Sequence, residues 1–239
     1  MAKILRFATI SCLLLLSTTF SEDETDSLFT NAITTFTQTA TVNASIKRFQ
    51  TYKGMIRESA GTFKYDRTQG AVYLYSSPSK FQITCTDSIL YSIDPEKKQG
   101  FRFIATPDDP LRYYDLDPIN RFFTFFSKLT GISFLGSIDS TLIFCKENQV
   151  SHKPEVSIGI DNQSKKITLI EFFDARARLR QQVIFEYGSN QLPQIAVSKM
   201  MLGDDVLTDS LVLRYKRTEE KLSREIFTVP CDINWSTTR

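Results

Sequence analysis

From residue 61 onward, apolar residues return at every second position in short runs, and turn-forming residues separate the runs. This pattern constrains the fold more than any other feature of the sequence. A period of two is the side-chain period of a strand with one face buried. The first runs are Gly61–Asp66, Ala71–Ser76, Lys80–Cys85, Ile89–Ile93 and Gly100–Ala105, punctuated by Thr68-Gln-Gly70, Ser77-Pro-Ser79, Thr86-Asp-Ser88 and Asp94-Pro95. Connections this short join antiparallel neighbours only. Seven more follow at Ser140–Lys146, Glu155–Ile160, Lys166–Phe173, Leu179–Tyr187, Gln194–Lys199, Ser210–Tyr215 and Glu225–Val229. Eleven or twelve antiparallel strands do not stay flat and open, so the sheet must curl, close or split. The expected class is mainly β (α+β), a strongly curved antiparallel sheet with helices in its concave side.

Two segments break the alternation. Residues 25–50 place Leu28, Ile33 and Phe36 at helical spacing among many threonines, which predicts an N-terminal helix of uncertain boundary. In DLDPINRFFTFFSKLTG, residues 115–131, Asp117 suits an N-cap, Pro118 the first helical position and Gly131 the end. Ile119, Phe122, Phe123, Phe126 and Leu129 then share one face, with Phe125 beside it. Such a helix either packs on a core or covers the open end of a curved sheet.

The first 21 residues stand apart. Lys3 and Arg6 precede the apolar run Ile10–Leu16, and Thr19-Phe20-Ser21 puts small residues at −3 and −1 of a cut before Glu22. That is a cleaved secretory signal peptide, too short to span a membrane. Cys12 lies inside the apolar run, where a lipoprotein cysteine would not, so an exported protein without a lipid anchor is expected. Cleavage removes two of the 29 cationic residues and none of the 27 acidic ones, leaving 27 of each. A neutral chain has no bulk attraction for nucleic acid or anionic lipid. Cys85, Cys145 and Cys231 remain, an odd number: one bridge with a free thiol, or small buried hydrophobes on strands.

Catalytic chemistry has few candidates. The one histidine, His152, stands in the polar stretch NQVSHKPE. No G-x-S-x-G, C-x-x-C, H-E-x-x-H or Gly-rich phosphate loop occurs, and the pairs Asp108-Asp109 and Asp204-Asp205 fall in turns. No enzyme, metal or cofactor is expected. What remains is an exported, aromatic-rich curved sheet, suited to carrying something apolar. Its candidate wall is Tyr73, Tyr75, Phe81, Ile83, Tyr91 and Ile93, together with Phe122, Phe123 and Phe126 from the second helix. Alternation alone leaves open whether these line a cavity or fill a core.

The order of features resembles the outer-membrane lipoprotein carrier LolA and related lipoprotein-sorting proteins. That family shows a Pro-x-x-Phe segment followed by a Tyr-Asp-Pro…Gln turn, here Pro78-Ser-Lys-Phe81 and Ile93-Asp94-Pro95…Gln99, over residues 28–231. The resemblance implies a single carrier domain over 22–239, an incomplete barrel whose helices cover a hydrophobic cavity for lipoprotein acyl chains. It implies a periplasmic chaperone that takes lipidated proteins from an inner-membrane release transporter to an outer-membrane acceptor. A carrier of free lipid or glycolipid, or a sensory module, are the alternatives it leaves. By position Phe81 is the cavity-mouth aromatic, and the helix from Pro118 belongs to a lid. The family's lid-fastening Arg before the proline is Ser77 here, so Lys80 or Arg121 would have to latch the lid, or the ligand is another amphiphile.

Overall fold

The computed structural model describes residues 22–86, 89–104, 120–216 and 222–237. The expected leader with Cys12, the acidic pair Asp108-Asp109 and the helix start at Asp117 and Pro118 lie outside the described residues.

The first helix, α1 (Glu22–Gln38), buries Phe29, Ala32 and Phe36 along one stripe. Its threonines are accommodated by hydrogen bonds to their own helix: Thr34 Oγ1 donates to the Thr30 carbonyl at 2.7 Å, and Thr39 Oγ1 donates to the Thr35 carbonyl. The helix ends well before residue 50. β1 (Thr41–Tyr52) follows at once, with Val42, Ala44, Ile46 and Arg48 buried in alternation. This corrects the expected helical reading of 25–50: the period changes to two at Thr41. β2 (Met55–Asp66) begins six residues before the expected strand and joins β1 through a two-residue turn. Lys53 and Gly54 both have positive φ there, 48° and 77°, as a type I′ hairpin requires.

The first meander continues through β3 (Gly70–Ser77), β4 (Phe81–Cys85), β5 (Ile89–Asp94) and β6 (Gln99–Ile104). The second helix, α2 (Asn120–Lys128), leads into a second meander. Its strands are β7 (Ile132–Ile138), β8 (Thr141–Glu147), β9 (Pro154–Asp161), β10 (Ile167–Phe173), β11 (Leu179–Glu186), β12 (Ile195–Leu202) and β13 (Asp205–Tyr215). The expected strand at Glu225–Val229 is instead a 3-10 helix, Arg224–Phe227, capped by Ser223, and β14 (Asn234–Thr237) closes the chain. β7 and β14 were not expected from the sequence.

Among the described residues fourteen strands form one sheet, in the order β14-β6-β5-β4-β3-β2-β1-β13-β12-β11-β10-β9-β8-β7. The two meanders meet where β1 pairs antiparallel with β13, and only β14 on β6 is parallel. The sheet curves without closing. Helices α1 and α2 pack together on its concave face, and their aromatics merge with the inward side chains of both meanders into one core. On the convex face of the first meander, Leu222, Ile226 and Phe227 pack on Val72 and Leu74 of β3. Further along, Trp235 and Ile233 lie against Gly100, where an added Cβ would come within 2.7 Å and 3.1 Å of their side chains. Parts of β3, β5 and β6 are thus sandwiched between two covers. Among the described residues no helix is long and apolar enough to cross a membrane.

Candidate functional site

Strand parity sorts the expected wall residues. Tyr73 stands opposite Ile83 and Tyr75 opposite Phe81 in the β3–β4 ladder. All four face the concave side, where Tyr73, Tyr75 and Ile83 are buried and Phe81 is half-buried at the edge of the core. Tyr91 and Ile93 do not join them. They pair with Arg102 and Gly100 on β6, and with Thr84 and Gln82 on β4, which puts them on the convex face. There the Tyr91 ring meets Trp235 edge-on at 5.4 Å. Burial of both faces makes Ile93 as inaccessible as Tyr73, although the two sit on opposite sides of the sheet.

The three helix residues lie among the rings of the sheet and of α1. Phe123 stacks on Tyr65 of β2 at 4.3 Å, Phe122 meets Phe185 of β11 edge-on at 5.0 Å, and Phe126 packs on Phe36 of α1 at 5.1 Å. Phe125, expected off the stripe, points its edge at Phe172 of β10, 5.6 Å away. The concave side therefore consists of aromatic rings from helix and sheet in contact with one another. Phe63, Phe122 and Tyr73 are at most 1 % exposed, so these rings fill the centre of the concave face rather than bounding an open cavity.

Toward the mouth of the concave face the lining turns polar. Arg48 of β1 forks onto Asp209 of β13 through Nε, at 2.9 Å and 3.0 Å, and through Nη2, and its Nη1 donates to Tyr75 Oη at 3.2 Å. Burial pulls the guanidinium down, but Tyr75 and Asp209 outweigh it and hold Arg48 above its ordinary value, fully charged. Gln50 Nε2 donates to the same carboxylate at 3.4 Å. Ser198, opposite Asp209 in the ladder, accepts from Gln181 Nε2 at 2.7 Å. This belt escapes sequence reading because Arg48 and Asp209 are 161 residues apart. One signal was available: counting in twos from Val42 puts Arg48 on the same face as Ala44 and Ile46.

A cavity of about 40 Å³ opens beside Arg48, roofed by the turn Ser77-Pro78-Ser79. Ser77, the expected lid residue, forms part of its wall, whereas Pro118 and the Arg121 side chain lie outside the described residues. Lys80 is turned to solvent and paired with Glu96 at 3.4 Å. A wider, solvent-open depression of about 610 Å³ runs along the same strands past Ser45, Thr62, Leu74 and Gln82, which face outward. At the same end, the β1–β2 and β12–β13 tips stand side by side, bridged by Lys53 and Asp205 at 3.0 Å. Met55 and Ile56 on one tip are 69 % and 73 % exposed, and Leu202 and Val206 on the other 40 % and 43 %.

No family model matches the sequence, and no curated protein does. Solved structures do match the fold. A LolA superfamily protein from Nitrosomonas europaea superposes with a TM-score of 0.60 at 14 % identity, covering 85 % of this chain and 97 % of its own. A DUF1329 family protein from Desulfovibrio piger gives 0.58 at 9 %, covering 84 % and 95 %. An outer membrane lipoprotein-sorting protein domain from Vibrio parahaemolyticus gives 0.55 at 11 %, covering 84 % and 94 %. This chain shares its fold with these structures, a large curved and unclosed sheet with two α-helices among the described residues.

Proposed function

We propose that the protein is a non-enzymatic periplasmic carrier that binds the acyl chains of lipidated proteins on the concave face of its sheet. The observation that carries this reading is the aromatic contact between α2 and the concave wall, where Phe122, Phe123 and Phe126 meet Tyr65, Phe36 and Phe185. Short helices take their stability from packing, so the position of α2 depends on those rings. Ring contacts have little directionality, and acyl chains can take their place while the hydrogen-bonded sheet keeps its form. The LolA-superfamily fold supports the same cargo class, and with it an inner-membrane donor and an outer-membrane acceptor.

The energy scale explains why a carrier is needed. At about 0.8 kcal/mol per buried methylene, an anchor of two or three chains costs on the order of tens of kcal/mol to leave a bilayer. The concave face must offset most of that cost without exceeding the affinity of the acceptor. The apolar hairpin tips beside the mouth would enter the bilayer interface during delivery, their backbone groups already paired within the sheet.

The test is native mass spectrometry of the purified protein with a synthetic triacylated lipopeptide. A one-to-one complex is expected, and Phe81→Glu should lose it while keeping the wild-type circular dichroism spectrum. Equal binding of the unacylated peptide, or wild-type uptake by the folded variant, would sink the reading. A double variant, Met55→Ser with Ile56→Ser, should slow transfer of the lipopeptide to vesicles several-fold and leave uptake unchanged.

A further inference from the structure

The small cavity at the mouth of the concave face has a chemistry that acyl chains do not need. In the β1–β2 ladder Arg48 stands opposite Ser59, and Gln50 opposite Arg57, so two arginines, an amide and a hydroxyl form one block on the same face. Ser77 and Ser79 close it from the turn above. Among the described residues no carboxylate lines the cavity. Asp209 neutralises Arg48 from the β13 side, away from β2, and among the described residues no carboxylate lies within ion-pairing distance of Arg57. Among the described residues the cavity therefore keeps one uncompensated positive charge amid neutral hydrogen-bonding groups.

Arg48 can serve both sides. A guanidinium carries five N–H groups in a fixed fork. Three are used, two on Asp209 and one on Tyr75, which leaves one N–H on each terminal nitrogen of a side chain that lines the cavity. The volume, about 40 Å³, exceeds the roughly 10–15 Å³ that one water needs by the same measure. That is room for a tetrahedral oxyanion and too little for an alkyl chain. Tyr75 and Phe81 line the inner side of the cavity, and both belong to the aromatic concave face. Charge and apolar wall adjoin, in the order of an anionic amphiphile's head and tail.

We infer that this cavity is an oxyanion site, which binds the phosphate head group of an anionic amphiphile whose chains enter under Phe81. The amphiphile rests on the carrier reading above; the oxyanion chemistry does not. Free phosphate offers the same oxygens, so the experiment separates the two sources.

Isothermal titration would compare lysophosphatidic acid below its micelle concentration, the monoacylglycerol of the same chain, and inorganic phosphate. Each is repeated on Arg57→Gln, an exposed position whose change spares the fold, and on Arg48→Lys, which keeps the charge beside Asp209 but loses the fork. Lysophosphatidic acid is expected to bind at least tenfold more tightly than the neutral lipid, with phosphate competing. Arg57→Gln should erase that advantage and leave monoacylglycerol binding unchanged, and Arg48→Lys should reduce it in part. Phosphate binding that depends on Arg57, with neither amphiphile bound, would support the oxyanion site and overturn the carrier reading. Equal binding of the two amphiphiles, unaffected by Arg57→Gln, would overturn the oxyanion site and leave the carrier standing. No binding of any of the three would overturn both.

Discussion

Two strands of the same sheet show how differently its halves are covered. In β11, Gln181, Val183 and Phe185 are buried, while the residues between them are partly open to solvent. In β3, Ala71, Val72 and Tyr73 are buried in succession. The ladders are equally regular, but the first meander carries a second cover made by the C-terminal segment, from Leu222 to Trp235. A strand with one covered face announces its inner side by alternation. A strand with two covered faces is apolar on both and does not. This difference moved Tyr91 and Ile93 from the expected inner wall to the convex face.

If the halves are joined chiefly at the β1–β13 seam, the heaviest loss should come from the ion pair that crosses it. Arg48→Met leaves Asp209 buried and uncompensated, and urea denaturation should show about 3–5 kcal/mol of destabilisation. The double variant with Asp209→Leu should recover most of that, since apolar side chains can replace a buried pair of this kind. Loss in the double variant as large as in the single would mean that the seam depends on the charges themselves.

The second cover can be probed against a position that lacks one. Phe227→Ala empties the cluster on β3 and should cost about 3 kcal/mol, whereas Val197→Ala on the outward face of β12 should cost roughly 1 kcal/mol. Comparable losses would erase the distinction between the meanders. Ligand binding should follow the same division: Tyr91→Ser, beneath Trp235, should change lipopeptide uptake less than twofold where Phe81→Glu abolishes it.

Thiol chemistry offers a smaller contrast. Among the described residues Cys85 and Cys145 are buried, one on each meander, and Cys231 is exposed in the outer cover. Burial, reinforced by Glu147, pushes the Cys145 thiol up to about 11. Alkylation of the native protein followed by peptide mapping should mark Cys231 and spare the other two until denaturant is added.

The weakest expected effect is local to the β10–β11 turn. The backbone N–H and guanidinium of Arg178, with the N–H of Arg176, hold the half-buried Asp174 carboxyl down to about 2. A lowered carboxylate stabilises above its unfolded value, roughly 3.9, and loses that contribution as pH falls through its folded one. Exchange protection of the Arg176 and Arg178 amides should therefore fall between pH 4 and pH 2, and Asp174→Asn should remove the pH dependence. Protection that stays constant down to pH 2 would contradict the assignment.

Much of the fold could be read locally. Strands β3 to β6 and β8 to β11 follow from alternation bounded by turn residues, and α2 from its Phe spacing, because burial of a face repeats with the period of the element itself. The Pro-x-x-Phe and Asp-Pro turns pointed to the same fold that the backbone shows. Segment 41–50 was readable in principle, but the threonines and phenylalanines around it hid the switch from helical to strand period. β7, an edge strand with little buried surface, and β14, four residues long, left too weak a pattern to find. Other features belonged to tertiary structure alone. Which side of β5 faces the interior depends on a tail that returns from more than a hundred residues away, and the Arg48–Asp209 pair depends on two meanders meeting. Whether the aromatic face is filled depends on where α2 settles. A local period records that a side chain is covered; what covers it is decided by contacts between distant segments, and those carry no period.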